Sequence, residues 1–451
     1  MRLLRFFIVA KEHNEFRDPV HTFVILTSDE RKVVNSRAFQ RLRHIHQLAL
    51  TWLVYPAATH KRFEHCLGVM DLAGRVFDVL IRAENRRSSG RLRQIFPSAD
   101  PTDAKHQYWR SVVRMGALCH DLGHIPFSHG AEDLLPEGTH HENLSVEVIR
   151  SPQMQALWSA MTPPLITDHI AKIAVGVEKW KGAAFSPWEE LMTEIVTGDP
   201  FGVDRIDYLL RDSLHAGVAY GRFDHHRLID SLRILWDDVQ QKAVVGIEVG
   251  GLHAAEALQL ARYFMFEQLY FHRVRRALDV HLRAYLRTFL PAGTYPNSVE
   301  GHLRITDDHV LAKMQDDVAD ESAPGHEAAS RILQRRFFRV LYDRRAEDLN
   351  QNLDAVGLVY RAAREKFGNS LVARDTNIDP EKPESASPKP LRFAVERDDG
   401  VVVSSIQVSQ ILGTLPKAVF DYVFVAPEIL DEARTWLNTN LRTILDASEA
   451  S

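Results

Sequence analysis

Apolar residues recur at three- and four-residue spacing through most of the first 290 positions, the pattern of amphipathic helices. Phe39, Leu42, Ile45 and Leu48 carry it over 35–48, behind the cap residues Asn35 and Ser36. Phe63, Leu67 and Met70 predict a second helix over 62–83. A third, over 109–122, is ended by Gly123 and Pro126. Further helices are expected over 142–149, over 202–214, over 254–290 as one helix or two, and around 329–342. Period-two alternation is rare, and AVVGIEV at 243–249 predicts part of a small hairpin. The pattern then changes. NIDPEKPESASPKPL at 377–391 is rich in Pro, Ser and charge and reads as an exposed linker. Strands follow at 391–395 and 401–406 around an Asp-Asp-Gly turn, then at 420–425, and a last helix at 427–445. Segment 315–327 reads as an acidic surface loop and 86–102 as a connecting loop. The fold class is therefore mostly α, with a helical core over 1–300 and a smaller mixed α/β region over 301–451.

Composition narrows the function classes. A chain of 451 residues is long enough for about two or three domains. With 45% hydrophobic and 25% charged residues it is a globular chain rather than a disordered one. Lys+Arg is 55 and Asp+Glu is 60, a net charge of −5, which does not suit a general nucleic-acid coat; local basic sites remain open and nucleic acid is not the expected partner. No apolar run reaches the ~18 residues of a membrane span, and the N-terminal apolar stretch is too short for a signal sequence. Two cysteines, Cys66 and Cys119, exclude a secreted disulfide framework and favour a reducing cytoplasm, with both read as small buried residues. The 22 histidines are what redirect the reading towards metal or acid–base chemistry.

The segment LCHDLGHIPFSHG at 118–130 gathers His120, Asp121, His124 and His129. His120 and His124 share a face only if the helix persists past Gly123. An imidazole next to a carboxylate suits Mn²⁺, Fe²⁺ or Zn²⁺, but a catalytic metal needs three or four ligands and an open position. Left unpaired beside the apolar run MGALC, these groups would be costly to bury. The zincin pattern HExxH does not fit, since Asp121 replaces the Glu and Gly123 precedes the second His.

These residues resemble the HD phosphohydrolase superfamily: an upstream His65 in RFEHCLGV, the pair His120–Asp121, and a downstream Asp204 in FGVDRIDYLLRD. DPVH at 18–21, FQRLRHIHQL at 39–48, YPAATHKRFEHCLGV at 55–69 and segments 120–129, 139–145 and 204–212 resemble more closely its SAM-and-HD-domain deoxynucleoside triphosphate (dNTP) triphosphohydrolases and related bacterial dNTPases. The likeness spans roughly residues 15–345 and implies an HD-domain helical core without a SAM domain. It implies hydrolysis of a dNTP to deoxynucleoside and inorganic triphosphate. The implied cofactor is a divalent transition metal (Mn, Fe, Co or Zn) on His65, His120, Asp121 and Asp204, with Mg²⁺ on the triphosphate as a further expectation. It makes His141 the general acid, with Glu132 as its acidic partner, a carboxylate that would favour the protonated ring. It sets His124 and His129 beside the α-phosphate and the attacking water.

The same resemblance puts Arg62, Arg205, Arg262 and Tyr208 on the triphosphate, which needs cations, Gln47 and Asp212 on the 3′-hydroxyl, and Leu48 and Tyr270 beside C2′. Phe266 departs from a base-pocket histidine. At the implied effector site Gln40 and Arg43 match, but Asn35 replaces a guanine-reading Asp and Arg17 a small polar residue. Asn cannot offer a carboxylate to both guanine donors, so either the nucleotide activator differs or none is needed. A homo-oligomer, dimer or tetramer, is the expected assembly. The arginine-rich segment 331–345 suits an effector phosphate, nucleic acid, a neighbouring subunit or a solvated face equally well. Two alternatives stand beside the dNTPase reading: an HD nuclease or phosphodiesterase using the same metal and arginines, and a nucleotide sensor without turnover.

Overall fold

The computed structural model describes residues 14–85, 92–96, 103–378 and 391–446. Most of the expected loop at 86–102 and of the linker at 377–391 lies outside the described residues. As expected, the chain is mostly helical. A short hairpin, β1 (Asn14–Asp18) and β2 (Thr22–Leu26), leads into α1 (Ser28–Val34) and α2 (Arg37–Gln40). The helical body follows with α3 (Arg62–Asn85), α4 (Ala104–Cys119), α5 (His141–Ile149), α6 (Pro152–Ser159), α7 (Thr167–Lys179), α8 (Pro187–Thr197), α9 (Val203–Ala216), α10 (His225–Ser231), α11 (Leu252–Met265) and α12 (Arg273–Phe289). Among the described residues no helix is long and apolar enough to cross a membrane.

The core explains the order. On α3, Val69, Met70, Ala73, Val76 and Phe77 are buried, and α4 meets them with Val112, Val113 and Met115. Glu30 fixes the edge of this packing. It caps α1 by accepting from Thr27 N and also accepts from Arg114 Nε (2.6 Å) and Nη2 (2.9 Å) on α4. One side of the body is closed by β3 (Leu232–Asp237) and β4 (Lys242–Glu248), an antiparallel hairpin with β4 where the 243–249 alternation lies. The chain returns to that hairpin late, with β7 (Ala394–Glu396) parallel to β4 and β8 (Val402–Ser404) antiparallel to β7. A second antiparallel sheet, in the order β5 (Arg339–Asp343), β9 (Asp421–Val425), β6 (Val372–Thr376), packs under the helices Ala355–Phe367 and Leu430–Asp446.

Four local expectations are corrected. The helix expected over 35–48 is only α2, after which the backbone bends into a 3₁₀ turn and turns left-handed at Ala49 (φ 48°). Polar groups are captured by partners off the helix axis. Arg41 donates to the carbonyls of His124 and Ile305, and His46 bonds Asp307 through its backbone N–H (2.8 Å) and Nδ1 (2.7 Å). The helix around 329–342 stops at Leu333, Arg335 is left-handed, and the β-prone FFRVLY stretch enters β5 instead. Segment 315–327 is helical up to Ala319, where Asp317 accepts from Tyr285 OH (2.9 Å). Finally, α4 ends at Cys119, so His120 and His124 do not share a helix face. The region 254–290 does break in two, at a π-helical turn over Phe266–Tyr270.

Removing one partner of the Glu30–Arg114 pair strands a buried charge. Glu30→Ala is expected to destabilise the fold by about 3–5 kcal/mol, read as a lower urea midpoint with an unchanged slope.

Candidate active site

Three helices converge on one corner. His65 comes from the first turn of α3, His120 and Asp121 directly follow α4, and Asp204 comes from the first turn of α9. Asp204 Oδ1 lies 3.1 Å from His65 Nε2 and 3.4 Å from His120 Nε2. Each ring is turned by its other nitrogen: His65 Nδ1 bonds Asp207 Oδ2 (2.8 Å) and His120 Nδ1 bonds the Ala117 carbonyl (2.7 Å). Both Nε2 atoms therefore face Asp204, and His120 Nε2 is buried with no hydrogen-bond partner. One ligand atom each from His65, His120 and Asp204 lies within 4.8 Å of the others, and this His₂Asp set fits a divalent metal. Asp121 stands beside that trio, 3.3 Å from His120 Nε2 and 3.7 Å from His65 Nε2, with its other bonds to Arg62 and His124 (3.1 Å).

Electrostatics reflect the crowding. Burial opposes charge on His65, but Asp204 and Asp207 outweigh it and push its pKa up to about 10. Burial likewise opposes the negative charge of Asp204, and the two histidines overcome it and hold the carboxyl below its usual range. Burial, Arg62 and His141 together hold His124 well below the usual histidine range, so that ring is neutral.

Sequence reasoning missed the support behind His65. Asp207 is fully buried and accepts from His65, from His21 Nε2 (2.6 Å) and twice from Arg211 (2.8 and 2.9 Å), which also donates to Asp18 (2.9 Å). The signal was present in DPVH and in DRIDYLLRD, where Arg211 follows Asp207 by four positions on α9. Gly68, one turn after His65, is required here, because a Cβ would come within 2.0 Å of Asp207 Oδ1.

The segment after α4 runs as turns, closed by its own backbone bonds and anchored at several points from outside. Gly123 N donates to Ser145 Oγ (2.9 Å), His302 bonds the Leu122 carbonyl (3.1 Å), and Asp307 accepts from Phe127 N (2.9 Å). This holds His124 against His141, ring centroids 3.9 Å apart and stacked. His141 opens α5, and its Nδ1 bonds Glu132 Oε1 (2.6 Å). The His129 side chain lies outside the described residues.

A cavity of about 1700 Å³ opens from this corner. Arg62, His124, His141, Gln47, Leu48, Tyr208, Asp212, Tyr270 and Phe266 line it together with His120, Asp121 and Asp204. Asp212 accepts from Tyr270 OH (2.8 Å) and bonds His60 Nε2 (2.7 Å), a histidine the sequence reading passed over. Arg205 and Arg262 do not line the cavity wall themselves but meet at Asp199, which does. Of the four effector candidates, Arg43 donates to Gln40 Oε1 (3.0 Å) and lies over the Phe63 ring, while Arg17 stacks on Phe23 and Asn35 ends α1. None of these four lines the cavity.

Comparison with known proteins places this chain among HD-domain proteins. The HD domain matches residues 62–153 and the HD associated region matches 223–447. An uncharacterized protein of Methanocaldococcus jannaschii is 32% identical over 267 residues, 59% of this chain and 48% of its own length. The deoxynucleoside triphosphate triphosphohydrolase SAMHD1 of Gallus gallus is 27% identical over 375 residues, 74% of this chain and 57% of its own length. The chain thus spans about half the length of these curated relatives. The solved structure of a hypothetical protein from Aquifex aeolicus superposes with a TM-score of 0.73 at 28% identity, covering 94% of this chain and 100% of that one.

Asp207→Asn should weaken Mn²⁺ binding about 10- to 100-fold, because the carboxylate that orients His65 is lost; titration calorimetry reads this directly. A second expectation concerns pH. His65 has a folded pKa raised above its ordinary 6.5, so in chelated protein its stabilising contribution is complete below pH 6.5 and is lost as pH rises through about 10. The stability gap between wild type and His65→Gln, measured by urea melts in chelator, should shrink across that window.

Proposed function

Because this chain belongs to the HD superfamily of phosphohydrolases, we propose that it hydrolyses dNTPs at the α-phosphorus, releasing deoxynucleoside and inorganic triphosphate. The observation that carries the reading is one cavity holding a metal-competent corner, the two histidines His124 and His141, and the paired Asp212 and Tyr270, with two arginines meeting at its wall. A divalent metal on His65, His120 and Asp204, with Asp121 beside them, would polarise the α-phosphate oxygens and lower the pKa of the attacking water.

The remaining work falls to the chain. His141 is tied to Glu132 through Nδ1, and its Nε2 would deliver a proton to the departing 5′-oxygen. His124 stacks on that ring and, being neutral, adds no charge of its own to oppose the protonated acid. Arg62, held by Asp121 and by Ser128 Oγ (2.8 Å), faces the α-phosphate, and Arg205, Arg262 and Tyr208 serve the phosphates beyond it. Asp212 and Gln47, whose buried Oε1 has no partner, take the 3′-hydroxyl. Leu48 and Tyr270 close the space at C2′, where an unsatisfied 2′-hydroxyl would cost about 1–3 kcal/mol. His129 belongs to the same reading beside the attacking water. Assembly into a dimer or tetramer and a cytoplasmic setting complete it, the last on the two buried free thiols, with turnover either dependent on a nucleotide activator or needing none.

One observation favours a second reading. The cavity exceeds the usual ~300–1,000 Å³ of a small-molecule site, as a nuclease or phosphodiesterase with a longer substrate would need.

A product assay separates the two. Protein with Mn²⁺ and each of the four dNTPs and four NTPs, singly and mixed, should yield deoxynucleoside and intact triphosphate. Turnover only in the mixture would identify an activator, and no turnover alongside cleavage of a single strand would replace the first reading by the second. Asp204→Ala is expected to abolish both turnover and metal binding. His141→Ala should cut the rate about 10²–10⁴-fold with substrate binding nearly intact, as measured by equilibrium titration.

A further inference from the structure

The Asp199 carboxylate bridges the two arginines assigned to the outer phosphates. Its Oδ1 accepts from Arg205 Nη2 (3.1 Å) and from Arg262 Nη1 (3.2 Å), joining α9 to α11. Arg205 also donates to the Gly198 carbonyl (3.3 Å), and its buried Nε has no hydrogen-bond partner. The Asp199 side chain is 64% exposed and lines the cavity, whereas the Arg205 side chain is 15% exposed.

The loop that carries Asp199 is anchored by backbone hydrogen bonds and close packing. Gly198 N donates to the Glu194 carbonyl (3.2 Å) and Gly202 N to the Gly198 carbonyl (2.8 Å). A Cβ on Gly198 would come within 2.4 Å of the Glu194 carbonyl, and one on Gly202 within 2.6 Å of the Val196 carbonyl. The backbone is therefore anchored, while the largely exposed carboxylate can rotate away at little cost.

We propose that Asp199 is an internal anion that occupies the triphosphate-binding arginines in the free protein and is exchanged for the outer phosphates of the incoming ligand. The inference rests on the dNTP reading of the site. It makes Asp199 a specificity-determining residue rather than a catalytic one. Two guanidinium groups facing each other would repel, and the single carboxylate offsets that repulsion without the charge of a triphosphate. A ligand with several negative charges outcompetes it. A lone carboxylate or phosphate from solvent gains little by the exchange, so the arginines are kept from monovalent anions. No covalent step is involved.

The test uses full-length protein with inorganic triphosphate and with dNTP. Asp199→Asn keeps the shape and removes the competing charge, so triphosphate should bind roughly three- to tenfold tighter, in keeping with two partly exposed ion pairs removed, and the KM for dNTP should fall similarly. Binding of a deoxynucleoside, which has no phosphates, should not change. Asp237→Asn is the control for general charge, because Asp237 also lines the cavity but bonds only the Val239 and Gln240 amides and the Gln240 side chain of its own turn. Equal tightening in both variants, or no tightening or weaker triphosphate binding in Asp199→Asn, overturns the inference. Tighter triphosphate in Asp199→Asn alone supports it, even if no dNTP is hydrolysed by any variant, in which case only the substrate reading fails.

Discussion

The interaction on which the rest depends is the buried carboxylate of Asp207. It has no exposure to solvent, and all its lone pairs face donors from three separate elements. His21 follows β1, His65 belongs to α3, and Arg211 sits one turn further along α9. A charge so far from water survives only when fully paired, because its desolvation outweighs any single contact. The pairing therefore fixes how the hairpin, α3 and α9 sit on one another. It also fixes the rotation of His65, and through it which nitrogen faces Asp204. Gly68 is the steric condition for this arrangement, since α3 and α9 can approach this closely only without a side chain there.

Around this fixed corner the site is graded. The metal-competent trio and Asp121 are held by groups that cannot leave, such as the Ala117 carbonyl on His120 and Arg62 on Asp121. Moving outward, the cavity wall is made of shared carboxylates, some buried and some exposed to a ligand. Asp212 is shared by Tyr270 and His60, and Arg205 and Arg262 share Asp199. Chemistry needs positions defined to a fraction of an ångström, whereas recognition groups must be satisfied before the ligand arrives and released when it does. Asp207, fully enclosed, and Asp199, largely exposed, stand at the two ends of these demands.

What was legible in the sequence follows the same gradient. His65, His120, Asp121 and Asp204 stand in motifs whose residue types and order carry the chemistry, and the long helices α3, α4 and α9 keep their apolar period. The segment 35–48 has that period as well, yet it breaks because Arg41 and His46 find partners more than 80 residues away, which no local pattern reports. The stretch 329–342 failed for a different reason: its apolar residues suit either period, and pairing with β9 decided the matter. Asp207 was passed over because an acid three residues from another acid on a helix looks like a solvated face. His60 and Asp199 were passed over because each acts through a partner distant in sequence, Asp212 and Arg262.

The size of the cavity and its charge bear on each other. A volume near 1700 Å³ would admit an extended ligand, but the wall added by α8 and the β3–β4 turn carries Glu190, Glu194, Asp237 and Asp238 against Lys242. Burial pushes Glu194 up to about 7, so that part of the wall gains negative charge as pH rises past neutrality. A phosphate backbone threaded along these acids would be repelled there, since charges in a low-dielectric cleft interact strongly, whereas Lys179, Arg275, Arg276 and Arg392 line other parts of the same cavity. A compact nucleotide, as proposed above, would escape this if its phosphates gathered between the metal-competent corner and the arginines and only its neutral base reached the acidic wall. Charge placement along this wall thus weighs against the polymer that volume alone would allow, and Phe266 adds an apolar ring to the cavity lining.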